Sequence, residues 1–302
     1  MREAGAPNDG NPDVGPTLSV VLKVRDEEAM LPGCLRRLDF ADEVVAAVDD
    51  RTTDRSVEIL TDAGVNVTMV HFEIADRSAA SGGSAGSGGS AASGGETGLA
   101  GLANAAIDLA TGDWLFLLDA DERVSRALVA EIRSTITGPY DGLRVPMANY
   151  FHARHMKFGG WQEHPVRLWR RGAARYTGAL HERPVFSVDT PRLGDLASPL
   201  PHLSHRSVLD NLEKSANYVE VQARAQHASG APPVTPWQLY RTLIREVGFR
   251  LILRQGWRDG VAGVYEALYW PFSHMCAQAR LWELQQVPPI DEQYLELEET
   301  TW

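Results

Sequence analysis

The sequence predicts an α/β protein built on a mostly parallel sheet flanked by helices, with a helical extension towards its C-terminal end. Three observations predict it. Short runs of branched apolar residues, of the kind buried on both faces of a sheet, alternate with segments of helical spacing. Acidic residues close those runs where a parallel sheet presents its carboxyl ends to ligands. Beyond Arg206 the strand texture gives way to long stretches with apolar residues three and four apart.

Taken in order, Leu18 to Val24 (LSVVLKV) reads as a buried strand, and Met30, Leu31, Cys34, Leu35 and Leu38 follow at helical spacing. EVVAAV, from Glu43 to Val48, is a second strand, closed by Asp49 and Asp50. TTDRSVEILTDAG offers a threonine cap, an apolar face and Gly64 as a helix stop. VNVTMVHF predicts a third strand, LANAAIDLATG a helix ending at Gly112, and WLFLL a fourth strand. Alternating strands and helices imply right-handed crossovers and a parallel sheet. RVPMANYF, PVRLWRR and RPVFSV then predict short strands separated by loops. SVLDNLEKSANYVEVQARAQHA, WQLYRTLIREVGFRLILRQG and GVYEALYWPFSHMCAQARLWELQQ predict helices, the last two aromatic-rich with Arg241, Arg245, Arg250, Arg254 and Arg258 interleaved. Such helices pack on the parent domain with snorkelling arginines. Peripheral contact with an anionic membrane surface is the second reading.

Residues 1–16 read as a disordered tail, 17–205 as the ligand-binding and catalytic domain, and 206–302 as the helical region. The Gly/Ser/Ala tract at 78–95 has no apolar content and predicts a flexible coil. The formal charge of −11 argues against a general nucleic-acid binder, which needs a basic face. Cys34 and Cys276 are the only cysteines, too few for a disulfide framework or a thiolate zinc cluster, and they fit a reducing cytoplasm. No run approaches the roughly 20 apolar residues of a spanning helix.

The chemistry concentrates in LLDADERV, where Asp119, Asp121 and Glu122 crowd behind a buried strand. Like charges repel and a buried unpaired carboxylate is costly, so either water or a cation serves the cluster. In an extended segment Asp119 and Asp121 point to one side. Paired carboxylates make a hard oxygen site for Mg²⁺ or Mn²⁺ bridging to phosphates. A solvated turn is the plain alternative.

Together SVVLKVRDEEAMLPGCLRRL, ADEVVAAVDDRTTDRSVEI, ANAAIDLATGDW and GDWLFLLDADERV resemble the family 2 glycosyltransferases of GT-A fold, most closely the branch that includes lipopolysaccharide-core β-glucosyltransferases. The resemblance implies a GT-A-type, Rossmann-like sheet and a metal-dependent, inverting transfer of a hexose from a nucleotide-diphosphate sugar. The donor would be UDP-linked and the acceptor a hydroxyl of a glycan or glycolipid. It implies work in cell-envelope glycan biosynthesis, in the cytoplasm or at the inner face of the membrane. A catalytically degenerate nucleotide-sugar-binding scaffold is the alternative.

The resemblance also implies site residues. Val24, Arg25 and Glu27 lie where the nucleotide base is received, and Asp49 or Asp50 accepts from base or ribose, unless Asp50 caps the next helix. Asn104 also lies on the donor side. Asp119 holds ribose and metal, and Asp121, His181 and His202 complete the metal set. In GGWQEHPVRLWRR, Glu163 or His164 stands where the branch has its acceptor-side acid, with Glu163 preferred as general base and Glu182 of LHERP as a further candidate. Arg167 and Arg171 share one strand face and Arg170 the other, and one of them would clamp phosphate. Two positions depart from the pattern. Asp26 replaces an Asn, and Ala103 replaces an Arg near the nucleotide, a role left to Arg25 or Arg77.

Overall fold

The computed structural model describes residues 15–71, 99–177 and 183–301. The tail and the Gly/Ser/Ala tract, except for Gly15 and Pro16, lie outside these residues, as do Arg77, His181 and Glu182. Five strands carry the frame: β1 (Leu18–Val24), β2 (Glu43–Asp49), β3 (Asn66–Val70), β4 (Trp114–Asp119) and β5 (Gly142–Arg144). They are interleaved with α1 (Leu31–Leu35), α2 (Ser56–Asp62), α3 (Leu99–Leu109) and α4 (Arg126–Thr135). Then come β6 (Met147–Phe151), β7 (Arg154–His155), β8 (Val166–Arg170), β9 (Ala174–Thr177), β10 (Arg183–Phe186), β11 (Leu193–Asp195) and β12 (Leu200–His205). The chain continues through α5 (Val208–Ala228), α6 (Pro236–Val247), a π-turn at Gly248–Leu253, α7 (Gly260–Leu284) and α8 (Ile290–Thr301).

The main sheet has seven strands in the order β11-β5-β8-β4-β1-β2-β3. β3, β2, β1 and β4 run parallel, and β8 enters antiparallel between β4 and β5. This parallel-rich sheet flanked by helices is the GT-A-type layout that the resemblance implies. Because β1 lies between β2 and β4, the chain reverses its winding there, and the crevice beyond the carboxyl ends of β1 and β4 is the place where such sheets bind ligands.

Both faces of the sheet are covered, which explains apolar runs without alternation. On one face Val20, Leu22, Phe116 and Leu118 pack with Leu31, Cys34, Leu60, Leu128 and Ile132 from α1, α2 and α4. On the other, Val21, Leu115 and Leu117 pack with Leu102, Ala103 and Ala106 of α3 and with Tyr176 of β9. The first expected helix shortens to α1, with Pro32 at its start. α2 begins after Arg55 without a side-chain cap, so the threonine cap is not used.

A second, three-stranded sheet, β12-β6-β7, joins this core to the C-terminal helices. Arg250, expected to snorkel, is instead buried. Its guanidinium carbon lies 4.2 Å from the Trp161 ring and 3.9 Å from that of Trp270, and Nη1 donates to the Gly159 carbonyl at 3.2 Å. Glu266 of α7 is fully buried, and its Oε1 meets His152 Nε2 at 3.1 Å, His205 Nδ1 at 2.9 Å and the Asn211 amide at 3.4 Å. No helix among the described residues is long and apolar enough to cross a membrane.

The turn into β4 leaves no room for a side chain. A Cβ on Gly112 would lie 2.6 Å from Ser19 Oγ and 2.8 Å from the Ser19 backbone nitrogen. Gly112→Ala is expected to cost about 1–3 kcal/mol through overpacking, read as a lowered urea midpoint with an unchanged slope.

Candidate functional site

The site is assembled where β4 ends. Glu122 N donates to the Asp119 carbonyl at 3.0 Å, closing a tight turn that carries Asp119, Ala120, Asp121 and Glu122. Arg123 Nη1 donates to the carbonyls of Ala120 and Glu122, both at 2.7 Å, and Nη2 reaches the Met30 carbonyl of the α1 segment at 3.1 Å. β12 holds the other side. Arg123 N donates to the Pro201 carbonyl and Leu203 N to the Asp121 carbonyl, both at 2.9 Å, and Glu122 and His202 form an antiparallel bridge. The turn is therefore fixed by backbone bonds, leaving its side chains to do other work.

Arg167, from β8, projects into the cluster. Its Nη2 lies 3.2 Å from Asp119 Oδ2 and 2.5 Å from Glu122 Oε1. Lys23 of β1 stands 3.7 Å from Asp119 Oδ1. Glu122 is fully buried, and its second oxygen accepts from Asp119 N at 2.9 Å. Burial pushes the Glu122 carboxyl up to about 7, with Arg167 opposing and Asp119 reinforcing the rise. Asp119 goes the other way. Burial would raise it, but Lys23 and Arg167 hold it well below the usual carboxylate range. His202 Nε2 is 3.4 Å from Asp121 Oδ2, and its Nδ1 meets Asn149 Oδ1 at 2.8 Å. Burial works against charging His202, yet Asp121 raises its pKa. Glu27 faces the same cluster, where burial first and Asp121 second push its carboxyl up to about 7.

The other expected residues divide. Val24 is buried at the end of β1, and Arg25 is exposed beside it, 3.8 Å from Asp49 Oδ2. Asp49 is buried and engaged by Arg51, which donates from its backbone N, Nε and Nη2 at 3.0, 2.9 and 2.6 Å. Burial would raise Asp49, but these bonds hold its pKa down. Asp50 is exposed and pairs with His71 Nδ1, so it does not cap α2. Asn104 is spent on structure. Its amide donates to the Tyr176 carbonyl at 2.8 Å and accepts from Tyr176 N at 3.0 Å, tying α3 to β9. Glu163 and His164 are exposed on the loop before β8. Of the three arginines, only Arg167 reaches the cluster. Arg170 binds the carbonyls of Tyr140 and Gly138, and Arg171 that of Gly112, at the opposite end of the sheet. Because β8 is antiparallel to β4, only its first residues reach the carboxyl end of β4. Sequence reasoning missed Lys23, Arg51 and Asn149. The one polar residue within the β1 apolar run was the available signal for Lys23.

Among the described residues, no three metal-ligating side chains converge. Asp119 answers to Lys23 and Arg167, so the expected Asp119–Asp121 pair is not a ready-made cage. Asp121 and His202 remain as a half-site, with His181 outside the described residues. The Asp121 carboxylate fits Mg²⁺ or Mn²⁺, ions held by one or two carboxylates with water and substrate phosphate, and a neutral His202 would add a nitrogen that suits Mn²⁺ better than Mg²⁺.

No family model matches the chain. Over 296 residues it is 26% identical to the lipopolysaccharide core biosynthesis glycosyltransferase LpsC of Rhizobium meliloti, a match covering 91% of this chain and 96% of that protein. The chain is thus similar over nearly its whole length to a protein named as a glycosyltransferase. A TPR repeat-containing protein of Synechococcus elongatus is 32% identical over 123 residues, 40% of this chain, and the match spans 25% of that protein's length. Among solved structures, TarS residues 1–349 of S. aureus superposes with a TM-score of 0.41 at 12% identity, covering 93% of this chain and 91% of that one. The mannosyltransferase PcManGT of Pyrobaculum calidifontis, solved with GDP-Man and Mn²⁺, gives 0.40 at 13%, covering 98% and 84%.

Two outcomes follow from the electrostatics. Arg167→Met leaves Glu122 buried beside Asp119 without its cation, and a loss of roughly 3 kcal/mol is expected in urea unfolding. Glu27, raised in the folded state, binds its proton more tightly there than in the unfolded chain. Stability in EDTA should therefore fall as pH rises from about 4.5 to about 7, and Glu27→Gln should flatten that segment of the profile.

Proposed function

We propose that the chain is a divalent-metal-dependent, inverting glycosyltransferase that moves a hexose from a UDP-linked donor to a hydroxyl of a glycan or glycolipid. One observation carries this reading: Asp119, Asp121, Arg167 and His202 meet at the carboxyl end of β4, beside the β1 switch point of the sheet. A nucleotide entering beside Val24 and Arg25 brings its ribose towards Asp119, whose low pKa keeps it an acceptor for sugar hydroxyls. Asp49, freed from Arg51, is the acceptor for a uracil N–H.

Asp121 and His202 would hold the ion, with His181 as the further candidate. When bound, it neutralises the diphosphate and the charge that builds on the leaving oxygen, where a preorganised cation favours the transition state. Arg167 keeps the carboxylate turn from repelling itself. On the acceptor side Glu163 takes the hydroxyl proton, with His164 and Glu182 as the alternatives. Exposure of Glu163 on its loop leaves it reachable by a large acceptor. Peripheral contact of the C-terminal helices with the inner membrane face would bring a lipid-linked acceptor to that loop.

The test is UDP-hexose turnover with Mn²⁺ or Mg²⁺, with and without an envelope glycolipid extract. Asp121→Ala is expected to lower turnover at least 100-fold and to abolish the rise in melting temperature that Mn²⁺ with UDP gives the parent protein. Undiminished turnover in EDTA would overturn the metal assignment. UDP binding by calorimetry without transfer to any acceptor would favour the scaffold alternative.

A further inference from the structure

An apolar cavity of about 420 Å³ lies between α6 and α7, lined by Leu243, Ile244, Val247, Tyr265, Leu268, Tyr269 and Phe272, and by none of the residues of the β1–β4 crevice. It continues outward along α6, where Trp237, Tyr240 and Ile244 stand at intervals of three and four, each more than half exposed. Arg241 and Arg245 run along one edge of that stripe and are exposed, and Arg245 Nη2 meets its neighbour Glu246 at 2.8 Å. An uncovered apolar groove continuous with an exposed aromatic stripe is the kind of surface through which proteins interact.

The chain carries a segment of matching chemistry. α8 aligns Ile290, Tyr294 and Leu297 on one stripe; Ile290 is half-buried, and Tyr294 and Leu297 are 64% and 54% exposed, so most of this stripe is open. Around it stand Asp291, Glu292, Glu296, Glu298 and Glu299, with no Lys or Arg from 290 to 301. Helical spacing puts Asp291 and Glu298 along one edge of the stripe, as Arg241 and Arg245 edge the groove.

The exposure of both surfaces points to a second copy as the source of the helix. α8 has 12 residues, or about 18 Å. It is joined to the end of α7 at Leu284 by Gln285 to Pro289, and the nearest groove residue, Phe272, lies a further 18 Å or so back along α7. In this chain α8 leaves its own groove open, since Tyr240 and Ile244 of the groove and Tyr294 and Leu297 of the helix are all exposed, so the helix that fills the groove comes from elsewhere.

We propose that α8 of a second copy of this chain lies in the α6–α7 groove, and that the exchange is reciprocal, closing a two-fold dimer. Each partner then gives one acidic helix and receives one in an arginine-edged apolar groove. This is the helix-in-groove mode of recognition, used between identical chains.

Sedimentation velocity of the full chain from 1 to 100 µM tests it. A concentration-dependent shift to dimer mass is expected, weakened by salt. Tyr294→Asp with Leu297→Asp should weaken association at least tenfold, without loss of circular dichroism since both side chains are exposed. Arg241→Glu with Arg245→Glu should give a monomer, as should Asp291→Lys with Glu298→Lys. An equimolar mixture of those two variants should recover the dimer, because both grooves then meet helices of opposite charge. A parent protein that stays monomeric to 100 µM overturns the proposal, as does a dimer indifferent to these substitutions or a mixture that fails to recover it. Monomers that float with anionic phosphatidylglycerol vesicles through the same groove residues would give the groove to lipid instead.

Discussion

Arg167 is the constraint on which the crevice depends. Three carboxylates sit within four residues at the end of β4, one of them fully buried, and their mutual repulsion would open the turn without a cation among them. A single guanidinium bridges Asp119 and Glu122, while Lys23 shares Asp119 from the neighbouring strand. The consequence is a division of labour. Glu122 becomes a structural carboxylate, Asp119 stays ionised, and Asp121 is left to His202. The cation that the acidic cluster demands is thus in part built into the protein.

The turn is equally dependent on the strand that closes it from the other side. β12 supplies His202 to Asp121 and, three residues on and across a register shift, His205 to Glu266 of α7. The C-terminal helices therefore grip the strand that completes the site. They also grip the loop bearing Glu163 and His164, because Arg250 is sandwiched between Trp161 of that loop and Trp270 of α7 while holding the Gly159 carbonyl. A buried arginine between two indoles is favourable when desolvated, and it fixes both rings. The helical region is thus packed against the loop that bears Glu163 and His164 and is not an appendage.

Two departures from the pattern of the resemblance acquire physical explanations. Asp26 adopts φ of +52°, a left-handed conformation that Asn and Asp tolerate best among residues with side chains, and its carboxylate accepts from Thr53 N at 2.8 Å. Asp for Asn therefore preserves the backbone there. Ala103 is fully buried against the sheet, where no long side chain is accommodated in the described packing. Arg25 is exposed at the end of β1, 3.8 Å from Asp49 Oδ2.

The linear chain determined the alternation of strand and helix, the burial of β1, β2 and β4 on both faces, and the placement of acidic residues at their carboxyl ends. These are local consequences of periodicity and of the cost of burying charge, and they are written in runs of six to eight residues. Whether an acidic residue is free or spent is not local. Asp49 and Asp50 are neighbours, yet one is claimed by Arg51 and the other by His71. Asn104 looks like a ligand-binding amide and is consumed by the Tyr176 backbone, 72 residues away. Arg167, Arg170 and Arg171 are nearly contiguous, but the antiparallel entry of β8 sends the first to the site and the others to the far end of the sheet. Pairing across the sheet decides which polar groups remain for chemistry, because hydrogen bonds and charges are satisfied by neighbours in space, and those neighbours exist only once the strands are in register.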